Sequence, residues 1–166
     1  VPYEYRADIE ADASFSQKKN KVCAVLTADC LPLLLVDDEA SEVAAIHAGW
    51  RGLQQGIIEQ TISRMASEPS SINVYLGPAI GPTAFEVGPE VKLAFVNRRV
   101  EFDAGFTEVT GSDKFLADIY SLAKQELLAM GVSKISGGNF CTYKQKDKFF
   151  SYRRDGQTGR MASLIW

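Results

Sequence analysis

A single domain of mixed α and β structure is what the sequence predicts, and three observations lead there. Hydrophobic residues make up 46% of 166 residues, which suffices for one well-buried core and leaves too little chain for two. Short β-branched or apolar runs bounded by turn-formers alternate with longer stretches of helical period. One run, "LPLLLV" at 31–36, is apolar on both faces, as a strand lying between two layers must be.

Each element has its own signal. Residues 22–27, 31–37 and 42–47 read as three strands, the last two joined by a turn at "DDEA" or "DEAS". The period then changes: Leu53, Ile57, Ile58, Ile62 and Met65 predict a helix over 50–66 that stops before Pro69. A strand follows at 72–76. The next segment, "GPAIGPTAFEVGPE", is too heavily punctuated by Gly and Pro for regular structure. Leu116, Ile119, Tyr120, Ala123, Leu127 and Met130 mark a second long helix, with Ser112 or Asp113 as its N-cap and Gly131 at its stop. Strands near 132–135, 149–153 and 161–166 complete the set. Ahead of all of these, "YEYRADIEADASFSQKKN" reads as polar surface leading into an established fold. With Val1 in first place, the expectation is that the natural protein begins earlier.

Composition excludes several classes of function. The net charge of −3 arises from 18 basic and 21 acidic residues that are interspersed, so no basic stripe exists to follow a phosphate backbone, and nucleic acid is not an expected partner. Three cysteines, Cys23, Cys30 and Cys141, form no CxxC pair; their odd number points to reduced thiols and a cytoplasmic location. No apolar run approaches the roughly 20 residues that span a bilayer, so no membrane partner is expected.

The only histidine stands in "AAIHAGWRG" at 44–52. Hairpin pairing puts His47 opposite Cys30 or two residues from opposite, with opposed Cβ atoms about 4.5–5.5 Å apart. A thiolate and an imidazole so placed can share a metal ion or act as nucleophile and base. The plainer alternative makes Cys30 a buried small hydrophobe and His47 a satisfied core side chain. A helix starting near Trp50 would aim its free N–H groups at the space beside the pair. Gly49 and Gly52 permit close approach, and Arg51 brings a fork of donors suited to phosphate or carboxylate. Against this, Arg51 can equally be a solvated first-turn residue.

Taken jointly, "TADCLPLLLVD", "VAAIHAGWRGL", "LGPAIGPTAFEVG", "LADIYSLAKQEL" and "CTYKQKDKFFSYRRDGQTGRMASLIW" resemble the YfiH-type laccase-domain family, described both as multicopper polyphenol oxidases and as purine nucleoside phosphorylases. The resemblance runs from about Ala11 to the end and implies one laccase-domain unit over 1–166. It implies an α+β fold, a layered sandwich of mixed β-sheets flanked by helices. It also implies a metal site of one cysteine and two histidines. Cys30 and His47 match two of these ligands; the third, in a Gln-Val-His-Gly-like segment, is expected upstream of Val1. Asp12 and Asp29 are the nearest other carboxylates in sequence, and are expected to hold loops or orient a ligand.

The family labels imply different chemistries. Oxygen-reducing copper centres lean on many imidazoles, and one or two histidines cannot furnish them. Phosphorolysis needs a bound phosphate, which Arg51 at a helix start can supply. The favoured expectation is therefore a zinc-dependent enzyme acting on a purine nucleoside and phosphate: phosphorolysis of adenosine, inosine or methylthioadenosine, with adenosine deamination. Copper-dependent oxidation of phenols and a metal-free Cys/His hydrolase are the alternatives. Catalytic roles fall to Cys30, His47 and Arg51. Phe85, Tyr143 and Phe150 are candidates to stack on a purine. Strand alternation separates Arg153 from Arg154, and Arg153 is favoured for substrate. Cys23 and Cys141 read as core.

Overall fold

The structure, a computed structural model, describes residues 11–166. The earliest part of the segment read as polar surface lies outside these residues. Its later part contains β1 (Ala13–Ser16), which pairs antiparallel with residues 43–46. An edge strand needs only one partner and one covered face, so four residues without an apolar run suffice.

The next three strands stand where the sequence put them: β2 (Cys23–Thr27), β3 (Leu31–Asp37) and β4 (Val43–Ala48). The single helix expected over 50–66 is instead two, α1 (Trp50–Gln54) and α2 (Ile57–Ile62). Gly56 makes the break with φ +82, where only glycine is at ease. The break has a partner, because Arg98 Nη1 donates at 2.9 Å to the Leu53 carbonyl, which also accepts from the Gly56 amide at 3.1 Å.

After β5 (Ile72–Leu76), the Gly/Pro-rich segment is more regular than expected. It holds β6 (Glu86–Val87) and opens α3 (Pro89–Arg98), with Pro89 in the first turn, where its missing N–H costs nothing. A 3₁₀ stretch, Val100–Gly105, leads into β7 (Phe106–Glu108). Leu116, assigned from its spacing to the second long helix, lies instead in β8 (Phe115–Ala117). The helix itself, α4 (Ile119–Ala129), starts later than expected because Asp118 caps it, accepting from the Tyr120 and Ser121 amides; Ser112 and Asp113 do not. Next comes β9 (Lys134–Gly137), two residues beyond its expected position. The strand expected near 149–153 is absent; a single turn, α5 (Tyr152–Asp155), forms where the Ser151 hydroxyl accepts from the Arg154 amide. The last strand is β10 (Met161–Ile165).

The strands form a five-stranded sheet in the order β1-β4-β3-β5-β9, a ribbon of β10 and β2, and a small sheet β6-β8-β7. Among the described residues only β5 and β9 pair parallel. β3 shows why its sequence is apolar throughout. Leu31, Leu33 and Leu35 join the main core with Leu53, Ile58 and Leu127 of the helices, while Leu34 and Val36 pack on Val25 and Ile165 of the ribbon. Helices, sheet and ribbon are thus stacked layers of an α+β fold, with β3 in the middle one. No helix among the described residues is long and apolar enough to cross a membrane.

Candidate functional site

The hairpin register decides where the thiol and imidazole meet. The turn is "DEAS", since Asp37 faces Glu42, and the ladder runs Val36↔Val43 to Pro32↔His47 and Leu31↔Ala48. Continued by one residue, it sets Cys30 across from Gly49 and His47 two residues from opposite. The side chains converge over Gly49: a Cβ built there would stand 3.2 Å from Cys30 Sγ and 3.7 Å from His47 Cε1. Glycine at 49 therefore keeps clear the space that both groups face.

Asp12 fixes the imidazole from behind. Its Oδ1 lies 2.8 Å from His47 Nδ1, and its backbone carbonyl accepts from the His47 amide at 2.7 Å. With Nδ1 held by a carboxylate, Nε2 is the nitrogen left for a metal or a proton partner. His47 is pushed up to about 9, chiefly by its hydrogen bond with Cys30, with Asp12 adding to the effect and partial burial opposing it.

Cys30 also lines a cleft of about 250 Å³, together with Trp50, Arg51, Phe85, Tyr152 and Arg153. Ile80 and Ile119 give it an apolar floor. Arg51 is exposed, its guanidinium 4.4 Å above the Trp50 ring. Because α1 has only five residues, the helix dipole expected from a 17-residue helix is small here, and positive charge in the cleft comes mainly from the guanidinium groups. Arg153 leans over Phe85 at 5.5 Å and donates to the Glu86 carbonyl at 2.8 Å. Arg154 turns away, donating to the carbonyls of Thr142, Tyr143 and Phe149. The two arginines do differ in outlook, but through a helical turn rather than strand alternation.

Two of the three stacking candidates are elsewhere. Phe85 is on the cleft wall; Tyr143 is 39% exposed and off it, and Phe150, 49% exposed, covers Gly159 instead. Both follow Thr142 on an irregular segment, whose geometry no periodicity announces. Tyr152 and Ile80 were missed: one adjoins Arg153 in "SYRRD", the other sits in the Gly/Pro segment, and neither carries a chemical signal of its own. Asp29 holds loops: its carboxylate accepts from Thr142, Ser151 and the Arg153 amide. Cys23 is buried against the Val43 carbonyl, while half-buried Cys141 accepts from the Gly81 amide at 3.3 Å. A larger hollow of about 640 Å³ beside Asp37 and Glu42 is remote from this chemistry, and both carboxylates are occupied by loop amides and hydroxyls.

Among the described residues no three His, Cys, Asp or Glu side chains are grouped to hold a metal. Cys30 and His47 have the right donor chemistry for zinc or copper(I), with a carboxylate behind the imidazole, but they are two donors of a site that takes three.

A layered α+β fold with one thiol–imidazole pair beside a cationic cleft defines a laccase-domain protein. The model for the family described as multi-copper polyphenol oxidoreductase laccase matches residues 3–166, and the chain belongs to that family. It is 54% identical over 160 residues to purine nucleoside phosphorylase YfiH of Shigella flexneri, covering 96% of this chain and 65% of that protein. It is 47% identical over 167 residues to a purine nucleoside phosphorylase of Haemophilus influenzae, covering 100% of this chain and 68% of the other. Among solved structures, a Neisseria meningitidis protein of the DUF152 family superposes with TM-score 0.92 at 52% identity, over 95% of this chain and 64% of that one. YlmD of Geobacillus stearothermophilus gives TM-score 0.80 at 32% identity, over 94% and 60%. The chain thus spans about two thirds of its relatives' length.

Proposed function

We propose that this chain carries the core of a zinc-dependent purine nucleoside enzyme, which cleaves adenosine, inosine or methylthioadenosine with phosphate and deaminates adenosine. The observation that carries the reading is the meeting of His47 with Cys30, which itself lines a cleft that also presents Arg51 and Arg153. The names of the relatives support it.

Each residue then has a task. Arg51, exposed at the cleft mouth, takes the phosphate, which needs charge neutralisation before it can approach a ribose carbon. The guanidinium of Arg153, lying over the nearly buried Phe85 ring, offers a flat cationic plane on which a purine ring can stack. Cys30, His47 and a third donor from outside the described residues would hold zinc, which would supply Lewis-acid activation. Asp12, by holding Nδ1, leaves Nε2 as the nitrogen that would meet a metal once its proton is lost. With its pKa pushed up to about 9, His47 holds that proton at neutral pH, and binding a metal would release it.

Two other readings have a specific basis. The family description favours copper-dependent phenol oxidation, although the chain offers one imidazole. The Asp12–His47–Cys30 sequence of contacts is also that of a metal-free hydrolase. One set of assays separates all three. Zinc-loaded protein that includes the third donor, given inosine and phosphate, is expected to release hypoxanthine and ribose 1-phosphate, seen by chromatography, and Arg51→Ala or Cys30→Ala abolishes this. Oxygen uptake with phenols and several coppers per chain by elemental analysis would establish the oxidase instead. Turnover that survives a chelator but not Cys30 alkylation would establish the hydrolase.

A further inference from the structure

We infer that Asp29 is a positioning residue which fixes the Cys30 end and the Arg153 end of the cleft relative to each other through one buried carboxylate. The consequence for nucleoside binding rests on the function proposed above; the mechanical coupling does not.

Asp29 links β2 to β3, immediately before Cys30, and is 8% exposed. Its Oδ1 accepts from Thr142 Oγ1 at 2.6 Å, and its Oδ2 accepts from Ser151 Oγ at 3.0 Å and from the Arg153 amide at 2.6 Å. Its own carbonyl accepts from the Ile80 amide at 2.9 Å. One residue thereby ties the strand connection that carries Cys30 to the segments that carry Ile80, Tyr152 and Arg153, which are distant in sequence. Thr142 and Ser151 are 0% exposed, so neither hydroxyl has water to turn to if the carboxylate is lost. The backbone tells the same story. Asp29 has φ +88, a conformation that L side chains rarely take and that persists only where the surroundings impose it. With three donors on its two oxygens, the carboxylate is committed to these loops rather than to a ligand.

The coupling makes the Cys30 and Arg153 ends respond together. In metal-free protein, two rates report on them separately: alkylation of Cys30 by iodoacetamide, located by peptide mass spectrometry, and trypsin cleavage after Arg153 or Arg154. Asp29→Gly keeps the left-handed backbone and deletes the acceptor, so both rates are expected to rise about tenfold, as loss of buried hydrogen bonds opens the segment. Asp29→Asn is expected to hold both rates within about twofold of the native protein, because an amide oxygen still accepts from Ser151 and Arg153 while its NH₂ donates to the Thr142 hydroxyl. Arg153→Ala is expected to weaken inosine binding without changing Cys30 alkylation. The inference is overturned if Asp29→Gly moves one rate alone or neither, or if Asp29→Asn behaves like Asp29→Gly. Should Asp29→Gly fail to fold, Thr142→Val deletes one donor while keeping the side-chain shape and must still raise both rates together, by a smaller factor; a rise in only one overturns it. Native protein that shows the coupled rates but does not bind inosine would refute the proposed function and leave the coupling standing.

Discussion

At position 47 one imidazole is placed between a sulfur and a carboxylate, and its protonation links the site to stability. Its folded pKa, about 9, lies above the ordinary 6.5, so protonated His47 stabilises the fold. That contribution is fully present below pH 6.5 and is lost as pH rises through about 9. For metal-free protein, the melting temperature is therefore expected to fall between pH 6.5 and 9, with His47→Gln flattening that part of the curve; an unchanged slope in the variant would contradict the assignment. The sequence made the Cys30–His47 encounter legible because hairpin pairing is local and its turn could be bracketed to two choices. Nothing local could reveal that Asp12 holds the imidazole, since that contact spans 35 residues.

Among the elements, the errors share one cause. Period alone joined 50–66 into one helix and gave Leu116 to another, because apolar spacing reports which face is buried and not whether the backbone continues. Gly56 ends α1 through a conformation that a tertiary partner makes worthwhile: Arg98 donates to the Leu53 carbonyl at the end of α1 and pairs with buried Glu126 at 2.9 Å. A Cβ at Gly56 would lie 2.9 Å from Arg98 Nη2. Gly56→Ala is accordingly expected to destabilise the protein by about 1–3 kcal/mol in urea denaturation, whereas a continuous helix would gain stability from the same change. The one-turn α5 escaped notice for a related reason. Four residues carry no period, and it is the Ser151 cap and the Asp29 contact that stop Tyr152 and Arg153 from continuing as a strand.

Across the whole molecule, burial follows the layers. Leu33 on the helix-facing side of β3 is fully buried, while Leu26 on the outer face of the ribbon is 62% exposed, with Leu164 diagonal to it also exposed. Leu33→Ala is expected to cost about 2–5 kcal/mol and Leu26→Ala no more than about 0.5 kcal/mol, a contrast that chemical denaturation of the two variants measures directly. Class, layering and the central strand were legible from sequence, because hydrophobic composition and the two-sided apolar run of 31–36 are properties of the chain itself. So was the meeting of Cys30 with His47, a consequence of antiparallel register. The cleft was not. Its walls come from residues 28–30, 50–51, 80, 85, 119 and 152–153, which are brought together by long-range ties such as that from Asp29 to Ser151, 122 residues apart. Local pattern encodes which face of an element is apolar, but only the packed chain decides which polar ends of distant segments share one cavity.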